Sequence, residues 1–446
     1  MSCFSNRTDI EEHNTKDSGI PWIGQIPEDW EVKPLKAILA ERKENNNPIK
    51  TEEILSLTNT RGVILYSEKG DIGNKAKEDL TCYKLAYPND IVVNSMNVVI
   101  GSVGLSNYFG CVSPVYYMLY SRNIDKYNIE FYNYIFQSEV LQKSLKGLGN
   151  GILEIRMRIS MSKLNIISLP VPSFQTQQAI ANYLDLKTSQ IDSIISNLTN
   201  QNKKLSEYRK SLISEAVTKG LDKTVKMKDS GIPWIGQIPE DWEVKKIKLC
   251  IEYHCTGSWG NAPAGNNNDC ICIRVADFDY NSLSIKDNEY TIRNYDDSVN
   301  IIKLILNKND LIIEKSGGGK NFPVGRVVIF NKNIKSLCSN FIEKIKVNQN
   351  NDNVFINYLF SVLYSIGLNN KSINQTTGIQ NLNISEYFNE KCAIPKINIQ
   401  QSIANYLDLK TSQIDSIIED QKKLIELLKE YRKSVISEAV TGKVIV

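Results

Sequence analysis

Ser316–Asn321 reads SGGGKN, the composition of a loop that cradles phosphate. Nucleotide hydrolysis on such a loop requires glycine, four residues, then Gly-Lys-Ser/Thr, because the final hydroxyl reaches magnesium. Glu314 stands where the first glycine belongs and Asn321 where the hydroxyl belongs, so the motif is incomplete. Cys250, Cys255, Cys270 and Cys272, with His254, are residue types that bind zinc. Their spacing contains no C-x-x-C, and Cys270-Ile271-Cys272-Ile273 reads as alternation along a strand. The sequence has no G-x-S-x-G elbow, no H-E-x-x-H pair, and no glycine-rich cofactor loop joined to Asn-Pro-Pro-Tyr. His13 and His254 are the only histidines, which leaves imidazole chemistry little to work with. The sequence therefore predicts no catalytic residue, no metal site and no cofactor site.

What remains is a set of polar loops suited to reading DNA. NSMN places Asn94, Ser95 and Asn97 at the end of an apolar run. GNGILEIRMRIS, from Gly149, carries Arg156 and Arg158 close to glycines. Further on, Lys315, Ser316, Lys320, Asn321 and Arg326 surround Gly317 and Gly318, and NQTTGIQNLN supplies Gln375, Thr376, Thr377, Gln380 and Asn381. Arginine and lysine pair with guanine edges, asparagine and glutamine with adenine edges. Backbone N–H groups and hydroxyls hold phosphates. Taken singly, any one of these loops is more commonly a solvated connection. Their recurrence at corresponding places in two halves of the chain favours recognition.

Those loops need a frame, and the chain spells one out twice. KDSGIPWIGQIPEDWEVK at Lys16–Lys33 returns unchanged at Lys228–Lys245. QQAIANYLDLKTSQIDSII from Gln177 returns from Gln400 with Ser402 in place of Ala179, and EYRKSLISEAVT from Glu207 returns from Glu430 with one change. Between the repeated ends lie divergent regions, about 34–173 and 246–398. Each holds an acidic residue before an apolar strand (DIVVN, DLIIE), a glycine-containing loop, and an aromatic helix-like stretch, IEFYNYIFQSEVLQKSL or VFINYLFSVLYSIGL. The expected class is α+β. The repeated ends read as long helices. Leu184, Ile191, Leu198, Leu205 and Leu212 recur every seven residues, with Ile194 and Tyr208 on a neighbouring seam position. The copy gives Leu407, Ile414, Leu428 and Val435, with Ile417, Leu424 and Tyr431, and Gln421 interrupts it. Gly220 and Gly442 stand where such helices stop. Mutual packing of the two near-identical helices is preferred over each packing on its own module. Asp185, Lys187, Gln190, Asp192, Glu207, Arg209 and Lys210 are then expected on outward faces. The expected organisation is a polar lead-in at 1–16, a module at 17–173, a helix at 174–220, a second module at 221–398 and a second helix at 399–446. The repeated GIPWIGQIPEDW is expected to seat each module on the helices, with Trp22 and Trp30, and their copies Trp234 and Trp242, as anchors.

Net charge is +3, which neither demands nor excludes nucleic acid. The nine cysteines show no disulfide framework, no apolar run is long enough to span a membrane, and the N-terminus lacks a secretion signal. A cytoplasmic protein is expected.

The whole chain resembles the specificity subunit of type I restriction–modification systems. The resemblance is carried by the duplicated GIPWIGQIPEDWEV, the junctions LPVPSFQTQQAIANYLD and IPKINIQQSIANYLD, and EKSGGGKNFPVGRVVIF. It implies two target-recognition domains, joined by two helices packed as an antiparallel coiled coil. Each domain would read one half of a bipartite, asymmetric sequence in double-stranded DNA. The helices would set the gap and dock two modification (methyltransferase) subunits, which restriction (endonuclease and translocase) subunits then join in DNA methylation and phage defence. S-adenosylmethionine, Mg²⁺ and ATP are then expected on those partners, with none in this chain. The competing expectations are that the chain is itself a DNA methyltransferase or nuclease, or a coiled-coil adaptor that binds only proteins.

Overall fold

No proline or glycine interrupts Phe174–Lys219 or Ile397–Val440, and each forms one continuous helix, of 46 and 44 residues respectively. The structure, a computed structural model, describes residues 14–58, 61–70, 75–148, 158–295, 301–319, 321–376, 378–444 and 446. The chain divides into two compact units, residues 1–199 with 422–446, and residues 200–421. Each unit therefore holds one divergent module and a stretch of each long helix.

In the first unit the module is built on a four-stranded antiparallel sheet, in the order Leu39–Arg42, Tyr116–Ser121, Ile91–Asn94, Val103–Leu105. Successive side chains of a strand point to opposite faces. Ile91 and Val93 pack beneath Phe131, Ile135 and Leu141 of the helices Ile129–Gln137 and Glu139–Leu145. Val92 and Met118 pack on the other side with Leu55, Val63 and Val112. Burial of both faces explains why this strand reads as an unbroken apolar run.

The second unit repeats the design with two added strands. Its sheet runs Ile251–Thr256, Ile342–Val347, Leu311–Glu314, Val327–Ile329, Ser284–Ile285, Phe278–Asp279. Leu311 and Ile313 face Phe355, Leu359 and Leu363 of the helix Asn353–Ser365. Ile312 and Val328 face Phe278 and Phe330 on the other side.

The repeated opening segment seats each module. In the first unit Ile20, Ile23, Ile26 and Trp30 share a core with Ile180, Ala181 and Leu184 of the first long helix and Val435, Ile436, Ala439 and Val440 of the second. In the second unit Ile232, Ile235, Ile238 and Trp242 share a core with Leu212, Ile213, Ala216 and Val217 of the first long helix and Ile403, Ala404 and Leu407 of the second. Trp30 and Trp242 are the buried anchors, whereas Trp22 and Trp234 are only half-buried. Gly442 has φ 71°, and a Cβ there would lie 2.4 Å from Pro27 Cδ and 3.1 Å from the Trp30 ring. Gly220 has φ 76°, and its Cβ would lie 3.3 Å from Trp242. Left-handed backbone and close approach both require glycine where each helix meets its tryptophan.

A buried glutamine completes each seat. Gln177 Oε1 accepts from Asn128 N (2.8 Å), and its Nε2 donates to Lys126 O (3.0 Å) and Pro172 O (2.9 Å). Gln400 Oε1 accepts from Asp352 N (2.8 Å), and its Nε2 donates to Asn351 Oδ1 (3.0 Å) and Pro395 O (2.9 Å). Tyr134 donates to Asp185 Oδ1 (2.6 Å) and its counterpart Tyr358 to Asp408 Oδ1 (2.8 Å).

The long helices run antiparallel in each unit, but their seam differs from the apolar expectation. In the second unit Arg209 Nη2 donates to Asp415 Oδ2 (3.1 Å), and Gln421 Nε2 donates to Gln201 Oε1 (3.2 Å). In the first unit Arg432 donates to Asp192 through Nε (3.0 Å) and Nη2 (3.2 Å). Burial holds the Tyr183 hydroxyl above its ordinary range, with Tyr431 and Glu438 adding to it. The residues covered on the first helix are Leu184, Thr188, Ile191, Ile195, Leu198, Asn202, Leu205, Arg209 and Leu212. The expected companions Ile194 and Tyr208, and Ile417, Leu424 and Tyr431 on the second helix, are exposed instead. The companion position lies four residues after each leucine-type residue, not three. Threonine, asparagine and arginine occupy several of those positions, so apolarity alone pointed to the wrong stripe. Asp192 and Arg209, expected outward, pair across the seam for the same reason, and Asp185, also expected outward, is engaged by Tyr134 of its own module.

Two outcomes follow from the seat and the seam. Trp30→Ala and Trp242→Ala should each cost about 3–5 kcal/mol in chemical denaturation, and Gln177→Leu about 1–3 kcal/mol by stranding a buried N–H and two carbonyls. Asp192→Arg should lower stability by about 1 kcal/mol or less, because the pair is partly exposed, and adding Arg432→Asp should restore it.

Candidate nucleic-acid interface

The loops proposed to read DNA lie at one end of the central strand of each module, and an aspartate fixes the other end. Asp90 is buried; its Oδ2 accepts from Tyr87 N (2.9 Å) and Arg42 Nε (2.8 Å), and its Oδ1 from Arg42 Nη2 (3.1 Å). The Arg42 guanidinium lies over the rings of Tyr87 (4.4 Å) and Tyr120 (4.9 Å). Asp310 repeats the turn, its Oδ2 accepting from Asn307 N (2.8 Å), but its cations are Lys344 (3.1 Å) and Lys346 (3.5 Å). Burial opposes the charge on Lys344, yet Asp310 outweighs it and holds the ammonium above its ordinary range.

At the far end the two modules make the same backbone contact. Ser95 O accepts from Ile159 N (2.9 Å), and Lys315 O accepts from Leu382 N (2.8 Å). NSMN therefore meets the end of GNGILEIRMRIS, and SGGG meets NQTTGIQNLN. In the second module this becomes a three-stranded antiparallel sheet of Ser316–Gly317, Ile379–Leu382 and Ile373–Thr376, with Ser316 opposite Asn381 and Gly317 opposite Gln380. Ser316 Oγ donates to Asn381 Oδ1 (2.6 Å). Segments separated in sequence thus form one polar surface on a rigid edge.

The individual candidates divide into two groups. Arg158, Asn321, Gln375 and Asn381 are exposed, and Ser316, Gly317, Gly318 and Asn97 are half-buried. Asn94 and Ser95 turn inward: Asn94 Oδ1 accepts from Met96 N (3.0 Å), and Ser95 Oγ donates to Val115 O (2.7 Å). Gln380 is buried, its Oε1 accepting from Val324 N (3.3 Å). Arg326 is held by Glu314, with Nε donating to Oε2 (2.8 Å) and Nη2 to Oε1 (3.2 Å). Burial works against its charge, and the bonds to Glu314 more than restore it. These four residues shape the surface from beneath. Lys315 Nζ donates to Thr256 Oγ1 (2.9 Å) and stands 3.7 Å from Glu343. Arg156, Lys320 and Thr377 lie outside the described residues, as does the side chain of Thr376.

Three features near this surface escaped the sequence reading. Glu343 is buried and contacts His254 Nδ1 as well as facing Lys315. Thr256 braces Lys315 from the end of strand Ile251–Thr256. Phe322 and Phe341 are exposed beside polar residues. In IEKIKV, three charged residues in a strand buried on both faces were the available signal. The cysteines fit the strand reading. Cys270 and Cys272 lie on Asp269–Ile273 in a cluster with Tyr295 and Leu337, and burial pushes both thiols up. Among the described residues no group of three or more His, Cys, Asp or Glu is placed to hold a metal.

The family model for the type I restriction modification DNA specificity domain matches twice, over residues 27–206 and 239–429. A putative type I restriction enzyme MjaX specificity subunit of Methanocaldococcus jannaschii is 24% identical over 95% of this chain and 95% of its own. The MjaVIII specificity subunit of the same organism is 22% identical over 94% of each. Among solved structures, a chain from a study of complex assembly and conformational transition of the type I R-M system matches with TM-score 0.70 and 12% identity, over 94% of this chain and 99% of that one. The HsdS subunit from Thermoanaerobacter tengcongensis matches with TM-score 0.54 and 13% identity, over 94% and 98%. Two seated modules with matching loop surfaces, and a family match that covers both, place this chain in the type I restriction–modification DNA specificity family.

Proposed function

We propose that this chain is the DNA-recognition and assembly subunit of a type I restriction–modification complex, acting in the cytoplasm, with each module reading one half of a bipartite target. The observation that carries this reading is the matched pair of loop surfaces at equivalent strand ends, Ser95–Ile159 and Lys315–Leu382. The seats are identical in sequence and the surfaces are not, as an asymmetric target requires. Arg158, Asn321, Gln375 and Asn381 present a cation and amides suited to base edges. The glycine backbone at Gly317 and Gly318 allows close approach to phosphate.

The exposed flanks of the long helices support partner docking. In three repeated pairs the exposures match: Leu186 and Leu409 at 59% and 58%, Ile194 and Ile417 at 46% and 46%, Tyr208 and Tyr431 at 56% and 54%. Apolar residues left in water at matched positions suit two copies of one partner. We assign them to two modification subunits. Methyl transfer with S-adenosylmethionine, and restriction with ATP and Mg²⁺, are then the work of the partners, and recognition the work of this chain. The polar side chains of its loop surfaces are amides, hydroxyls and cations suited to binding, with no nucleophile–base pair among those described.

Three measurements test these assignments. Exchanging residues 34–173 for those of a relative should change one half-site in methylome sequencing and leave the other intact; changes in both would contradict modular reading. Tyr208→Glu with Ile417→Glu should weaken methyltransferase binding at least tenfold in calorimetry while the helical circular dichroism is kept, as expected for apolar interface anchors. Incubation of the pure chain with labelled S-adenosylmethionine and DNA should transfer no methyl group until a modification subunit is added.

A further inference from the structure

Phe322 is 65% exposed, although a phenyl ring is ordinarily withdrawn from water. It sits at the end of a closed turn in which Gly319 N donates to Phe322 O (2.9 Å) and Phe322 N donates to Gly319 O (3.1 Å). The chain beyond it is pinned: Tyr364 donates to Pro323 O (3.0 Å), Asn369 Nδ2 donates to Val324 O (2.7 Å), and Val324 is buried. Behind the ring the Arg326 guanidinium lies 5.8 Å from its centroid and 3.8 Å from that of Tyr280. Glu314, itself buried, grips the same guanidinium from the side. Tyr280, Arg326 and Phe322 thus form a stacked column anchored in the module, and its outermost member faces solvent. Gly318, next to the glycine that closes the turn, packs against Gln380 and Val324 (a Cβ there would lie 2.8 Å from each), and Val324 N donates to Gln380 Oε1, so the turn that carries the ring adjoins the polar surface assigned above to DNA.

Resting on that recognition reading, we infer that Phe322 is a stacking wedge that inserts at a base step of the half-site read by the second module. An aromatic ring stacks on any base, because every base has a π-face, and apolar wedges of this kind partly unstack the step they enter. The column supplies what a wedge needs. Its charge-paired guanidinium keeps the ring from folding back, and the ring is pre-set before DNA arrives. Arg326 is then a positioning residue, acting through Phe322.

The test uses the complex of the full chain with its methyltransferase subunits and its target duplex, with 2-aminopurine placed in turn at each position of the half-site. Wild-type protein should raise 2-aminopurine emission severalfold at one step. Phe322→Ala should abolish that rise and weaken target binding about tenfold or more, in line with the loss of one stacked base, and Phe322→Trp should retain both. Because the ring is exposed, these variants should fold as the wild type does, which circular dichroism checks. Selective wild-type binding with no emission change at any step, or Phe322→Ala binding as tightly as wild type, would overturn this inference alone. A wild-type complex with no preference for its target would overturn the recognition reading and the wedge together.

Discussion

Each module is fixed to the helical frame by one tryptophan against one glycine. Trp30 lies where the second long helix ends at Gly442, and Trp242 lies where the first ends at Gly220. A side chain on either glycine would meet the ring or its proline neighbour, and the positive φ lets the chain leave the helix at that point. The isoleucines of the opening segment and the last apolar turn of each helix close around this contact. The identity of the eighteen-residue repeat at Lys16 and Lys228 follows from this, since two copies of one socket need two copies of one plug.

The seam between the helices is partly polar, and this has two consequences. Charge pairs such as Asp192–Arg432 and Arg209–Asp415 contribute little stability where they are half in water, but they penalise a shifted register, because a slip parts the charges that now face each other. Filling seam positions with Thr188, Asn202, Arg209 and Gln421 leaves the apolar Ile194, Tyr208, Ile417 and Tyr431 facing out. A seam that admits polar residues among its leucines, and leaves isoleucine and tyrosine in water, suits the partner docking proposed above.

The modules show how one fold tolerates divergence. The aspartate that opens the central strand is kept, yet its counter-charge comes from Arg42 on strand Leu39–Arg42 in one module and from Lys344 on strand Ile342–Val347 in the other. A buried carboxylate must be paired, but the pairing cation can come from the adjacent strand, as with Lys344, or from one strand further, as with Arg42. The strand-end loops have more freedom still, since only their backbone junctions to Ile159 and Leu382 are shared.

By itself the sequence determined the duplicated plan, the two long helices, the seating role of the repeated segment and the family. These rest on near-identical stretches and on local periodicity, both visible without coordinates. It also marked the loops now found together, because glycine, amide and hydroxyl runs between strands are local signals. Tertiary structure alone decided which of their side chains face solvent. Ser95, Gln380 and Arg326 have the chemistry of DNA readers but serve internal partners that are distant in sequence, Val115, Val324 and Glu314, while Asn94 turns back on the N–H of Met96. Tertiary structure also decided the seam, for a heptad fixes which residues recur on a helix but not which flank meets the neighbour. That choice depends on the paired surface, and a threonine or arginine can be buried when the facing helix supplies its partner.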